Sequence, residues 1–116
     1  QQMVKSHQQI SLPTKIKVGS VDITVQQYDN LTKIAGEEGS FDEGQQIIQI
    51  DRSIVDKQNS YSVLVMLHEL SHCIYNQHLL KDANEEVVVN AFSHGMTQLL
   101  KDNPKFNQWI SLCLTS

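Results

Sequence analysis

Three observations on this 116-residue chain predict an α+β fold. Short segments that alternate apolar and polar residues fill its first half. Longer segments with helical periodicity fill its second half. Nothing between them reads as an inter-domain linker or an internal repeat. Strands followed by helices is the order that places helices to one side of a sheet.

The elements follow in order. Residues 1–13 are polar and Gln-rich and end at Pro13, which predicts a loose N-terminal arm, with residues 14–116 forming one domain. Met3 is expected to be the natural first residue, with Gln1 and Gln2 added ahead of it. Lys15–Val18 and Val21–Tyr28 alternate through Ile16, Val18, Val21, Ile23 and Val25, and Gly19-Ser20 between them suits a tight hairpin turn. Residues 29–44 carry Gly36, Gly39 and Gly44 among acids and read as a loop with little regular structure. Residues 46–50 (QIIQI) read as a third strand. From about Tyr61 the period changes. Ser60 is the expected cap, and residues 61–79 are apolar on most sides, as in a buried central helix. Asn84 is the expected cap of a second helix, with Glu85 and Glu86 suiting its positive end and Asn103-Pro104 closing it. A short last helix over residues 105–112 carries Phe106, Trp109 and Ile110, expected to pack into the core.

Composition removes several function classes. The hydrophobic share of 40% excludes a disordered chain. Net charge is -4 with acids and bases interspersed and no basic stripe, so direct nucleic-acid binding is not expected. The longest apolar run, residues 63–67, is far too short for a membrane span, so no membrane association is expected. No signal-peptide core is visible, and the expected location is cytoplasmic. Cys73 and Cys113 do not make a disulfide framework and are read as reduced, buried residues.

The chemistry lies in His68-Glu69-Leu70-Ser71-His72, an HExxH motif. On a helix, residues i and i+4 lie one turn apart on one face. Two imidazoles there reach one zinc ion at about 2.0–2.1 Å. Glu69, one position on, lies beside the ion, where it can hold an attacking water and take its proton. The motif follows SVLVML, in the most apolar part of the chain. Imidazoles and a carboxylate buried there are costly without a compensating partner, and a metal supplies one.

A catalytic zinc needs a third protein ligand and an open position. Glu86, fourteen residues beyond His72 in the first turn of the next helix, is the candidate that spacing favours. Asn90, one turn later, would orient it by a hydrogen bond. Glu85 is the neighbouring alternative. His78 is another: His68, Glu69, His72 and His78 match the metzincin pattern HExxHxxGxxH except that Tyr75 stands at the glycine. His94 is a third, and resembles the last His of SprT-like proteases. His94, Tyr75 and Tyr61 also compete for the role of stabilising an oxyanion during catalysis.

QIIQIDRS, LHELSHCIYNQHL and EEVVVNAFSHGMTQLLKDNP together resemble small metallopeptidase-like proteins encoded by bacteriophages and prophages. They are similar, more distantly, to the ImmA/IrrE metallopeptidase family. The resemblance covers roughly residues 46–104. It implies a gluzincin-like set: His68, His72 and Glu86 on zinc, with Glu69 as catalytic acid/base. It also implies a minimal zincin-like fold, in which a small three-stranded twisted sheet packs on the HExxH helix, followed by a second ligand-bearing helix and a short C-terminal one. In that fold the QIIQI strand would lie at the sheet edge by the cleft, where an extended substrate pairs with it.

The expected function is therefore zinc-dependent hydrolysis of peptide bonds in a protein partner, a repressor-type regulator being the partner the phage resemblance suggests. The alternative from another class is a non-catalytic interaction protein that keeps the fold and metal site. A purely structural zinc would need a fourth protein ligand, such as His78 or His94 beside Glu86.

Overall fold

The computed structural model describes residues 9–115. Among these lie four strands and five helices: β1 Lys15–Val18, β2 Val21–Tyr28, α1 Leu31–Ala35, β3 Gly39–Asp42, β4 Ile47–Asp51, α2 Arg52–Asp56, α3 Ser60–Gln77, α4 Glu85–Asp102 and α5 Pro104–Leu114. The fold is α+β, with a mixed sheet in the order β1-β2-β4-β3. Most of the arm, residues 1–8, lies outside the described residues. Residues 9–13 have no regular structure, and Leu12 among them is buried in the core.

The hairpin forms as its alternation requires. Val18 pairs with Val21 across the turn, and Gly19 supplies the positive φ of 63° that the turn needs. Ile16, Val18, Ile23 and Val25 point inward, joined by Ile48 and Ile50 of β4. Onto them pack Met66, Leu70, Cys73 and Ile74 of α3, Leu99 of α4, and Phe106, Trp109 and Cys113 of α5. Phe106 and Trp109 stack with ring centroids 5.8 Å apart, wholly inside the core. Cys73 and Cys113 are both buried and form no disulfide with each other.

The sheet departs from the expected three strands. Residues 29–44 are not a loop: they hold α1 and β3, and β3 pairs antiparallel with β4 from Gly39↔Ile50 to Asp42↔Ile47. β3 is four residues long with one large apolar side chain, Phe41, so no alternation was visible. Its stability comes from its partner, not from its own sequence. The QIIQI strand is also not at the edge. β4 runs parallel to β2 on one side and antiparallel to β3 on the other. Ile48 and Ile50 are accordingly fully buried.

The two edges of the sheet are treated differently. The outer edge of β1 is covered by amide side chains of α4 and of the residue that follows it. Asn103 Nδ2 donates to Lys17 O and Lys17 N donates to Asn103 Oδ1, both at 2.8 Å, which imitates a strand pairing. Gln98 Nε2 donates to the same carbonyl at 3.0 Å. β3 forms the opposite edge, and it lies against α3.

α3 is capped by Asn59, not Ser60. Asn59 Oδ1 accepts from Ser62 N, and Asn59 N donates to Ser62 Oγ, a reciprocal capping box that leaves Ser60 as the first helical residue. α4 is capped by Asn84 as expected, its Oδ1 accepting from Val87 N at 3.0 Å. The helices α3 and α4 cross closely at Gly95, where a Cβ would stand 2.9 Å from Ile74 Cγ2. Among the described residues no helix is long and apolar enough to cross a membrane.

Candidate active site

The HExxH motif lies in the second half of α3. Helical spacing puts His68 and His72 on one exposed face, with ring centroids 5.0 Å apart and planes at 78°. A tetrahedral ion bonding both rings at about 2.0–2.1 Å would hold their centroids roughly 5 Å apart, so the separation is compatible with one shared ion. The imidazoles are not buried, contrary to the expectation for this helix. The helix buries its other faces, and of the three polar groups only Glu69 is taken out of solvent.

Glu69 is rotated about 100° from His68, which turns it toward the sheet. It is 6% exposed. Its carboxylate packs on the edge strand: a Cβ on Gly39 would stand 3.3 Å from Glu69 Oε2 and 3.2 Å from Val65 Cγ1. Burial raises its pKa above the ordinary carboxylate value; the neighbouring His68 and His72 oppose the rise and Glu37 adds to it. No hydrogen bond from a described residue contributes to that balance. Cys73, one position beyond His72, turns inward, and burial pushes its thiol up to about 12, with the charge of Glu69 adding to the effect. It packs as a buried thiol in the core.

His68, Glu69, His72 and Tyr75 line one cleft of about 560 Å³ between α3 and β3. The opposite wall is Glu37, Gly39, Ser40, Phe41 and Glu43. Glu43 is fixed by Asn76, which donates to its Oε2 from one turn beyond His72. These wall residues were missed in the sequence because they fall in the glycine- and acid-rich stretch read as a loop. Phe41, an isolated aromatic within that stretch, was the available signal.

The remaining sequence candidates lie elsewhere. Glu85, Glu86 and Asn90 are exposed on the first turns of α4, and none of them lines the cleft. His78 ends α3 as its C-cap. His78 and His94 line a separate cavity of about 210 Å³ with Gly95, Gln77 and Gln98, which shares no residue with the His68–His72 cleft. Tyr61 stands beside the cleft in an adjoining hollow, where its hydroxyl donates to Glu38. Among the described residues, no three His, Cys, Asp or Glu side chains come together as a group able to hold one metal ion. The cleft thus carries two imidazoles at a compatible separation, and among the described residues no third donor joins them in one group.

No protein-family model, no curated protein and no solved structure matches the chain.

Proposed function

We propose that the chain is a zinc-dependent peptidase in which His68 and His72 hold the metal and Glu69 acts as general base. The observation that carries this reading is the pair of imidazoles at a separation suited to one tetrahedral ion, with an almost fully buried carboxylate between them on the sheet side. When bound, zinc supplies Lewis-acid polarisation of the scissile carbonyl and acidifies the attacking water. Glu69 accepts the water's proton and returns it to the leaving amine. Burial raises its affinity for the proton, which suits the first of these tasks. Tyr75, which lines the cleft, is the candidate donor to the developing oxyanion in this reading, while His94 lines the separate cavity.

The strand that guides substrate in this reading is β3 rather than the QIIQI strand. β3 is an edge strand lining the cleft, so an extended peptide can add to it by backbone hydrogen bonds while its scissile bond lies over His68 and His72. For the third ligand, the resemblance to ImmA/IrrE-type proteins assigns Glu86, while Glu37 and Glu43 are the acids that border the cleft itself. The same resemblance suggests a zincin-like core and a repressor-type regulator as substrate.

One observation favours a second reading, a non-catalytic interaction protein: the missing convergence of a third donor. The two separate on a cleavage assay against a denatured-protein mixture with zinc present. The peptidase produces fragments, and Glu69→Gln abolishes them while the zinc stays bound. Equal behaviour of wild type and Glu69→Gln removes the peptidase reading.

A further inference from the structure

A second hollow, of about 330 Å³, adjoins the His cleft toward the start of α3 and shares Glu37, Gly39, His68 and Glu69 with it. Its floor is one face of the helix: Tyr61, Leu64 and Val65 at positions i, i+3 and i+4, leading to His68 at i+7. Its wall is Glu37 and Glu38, and the Tyr61 hydroxyl donates to Glu38. No lysine or arginine lines it. Lys57 Nζ lies 5.9 Å from the Tyr61 ring centroid, and Lys57 borders a neighbouring cavity.

Two features point to an occupant. Leu64 is left 60% exposed beside two carboxylates, an apolar surface bordered by negative charge. Glu69, 94% buried, opens its carboxylate onto the same space without a hydrogen bond from any described residue. A side chain with an apolar stem and a cationic head fits this lining, laying its methylenes on Leu64 and Tyr61 and its charge against Glu37 and Glu38 in the field of Glu69, whose carboxylate stays free for the proposed proton transfer. We propose that this hollow is a subsite for a lysine or arginine side chain of the substrate peptide, immediately next to the reacting centre. The identity of the ligand as a substrate rests on the peptidase reading; the charge preference does not.

The test uses fluorescein-labelled alanine hexapeptides carrying one central arginine, methionine or glutamate, titrated by fluorescence anisotropy into wild-type protein held in EDTA to prevent cleavage. The arginine peptide is expected to bind about tenfold more tightly than the methionine peptide, and the glutamate peptide more weakly than either. The preference shrinks at high salt. The double variant Glu37→Gln/Glu38→Gln brings arginine and methionine to within about twofold. Leu64→Lys, at an exposed position that tolerates the change, does the same by placing a cation in the hollow. Equal binding of the three peptides, no binding of any, or an arginine preference that survives in both variants overturns the proposal. An arginine preference in binding, with zinc-loaded protein leaving the peptides intact, keeps the subsite and removes the peptidase reading. Cleavage without a charge preference does the reverse.

Discussion

The carboxylate of Glu69 faces Gly39 of the edge strand, occupying the space a side chain there would need. A single added methyl at that glycine would lie 3.3 Å from Glu69 Oε2 and 3.2 Å from Val65 Cγ1. Here the edge strand meets the helix that carries the HExxH motif. This contact also restrains the side chain proposed as the general base.

Gly39→Val is therefore expected to displace Glu69 while leaving both imidazoles in place. Peptide cleavage should fall about 10- to 100-fold, as misplacement of a reacting group does, with zinc content unchanged. Gly39→Ala, which asks the neighbours to give by only a few tenths of an ångström, should cost far less. Cleavage rates and metal content measured on the same preparations check this. Full activity in Gly39→Val would mean that Glu69 is not held by the strand.

Asp51 holds the other end of the site's scaffold. It ends β4, its Oδ1 accepts from Ser53 N and Oγ to cap α2, and its Oδ2 accepts from Thr32 N and Oγ1 of α1. The hydrogen bonds from Thr32, then those from Ser53, hold its pKa well below the ordinary 3.8, against the opposing effect of burial. A folded-state pKa that is depressed means stability present above the unfolded value and lost as pH falls through the folded one. Thermal melts should therefore weaken progressively below about pH 4. Asp51→Ala should cost about 2–3 kcal/mol at pH 7 and flatten that acid limb. An unchanged acid limb in the variant would place the pH dependence elsewhere.

Much of this was legible in the sequence because the signals were periodic or chemically specific. The β1–β2 hairpin followed from alternation around Gly19-Ser20, and α4 from its Asn84 cap. The pairing of His68 with His72 followed from helical spacing alone. The failures share a cause. β3 has one large apolar residue and is specified by the neighbouring β4, so the strand and the cleft wall it forms were invisible. β4 was misplaced at the edge for the same reason: a strand cannot be recognised as central until its second partner is known. The burial of α3 was overestimated because apolar density along a segment does not say which face meets the sheet. Its His face is open and its Glu69 face is not.

The candidates for a third donor in the proposed metal site can be separated by substitution. Glu86 is exposed on α4, and Glu37 and Glu43 line the cleft. If Glu86 serves, as the resemblance implies, Glu86→Ala should lose zinc at least tenfold more readily to a chelator than wild type, while Glu37→Ala, Glu43→Ala and His94→Ala stay within about twofold. Competition with a chromophoric chelator reads this directly. Zinc loss in Glu43→Ala or Glu37→Ala alone would move the ligand to the β3 side of the cleft. Loss in His94→Ala alone would bring the separate His78–His94 cavity into the metal site.

The most direct test of the whole account is the zinc content of protein purified without a metal-affinity step and dialysed against trace zinc, measured by elemental analysis for wild type, His68→Ala, His72→Ala and Glu69→Gln. Close to one zinc per chain is expected in wild type and Glu69→Gln, and almost none in either histidine variant. Wild type that takes up no zinc, or a histidine variant that keeps it, would contradict the metal site and everything built on it.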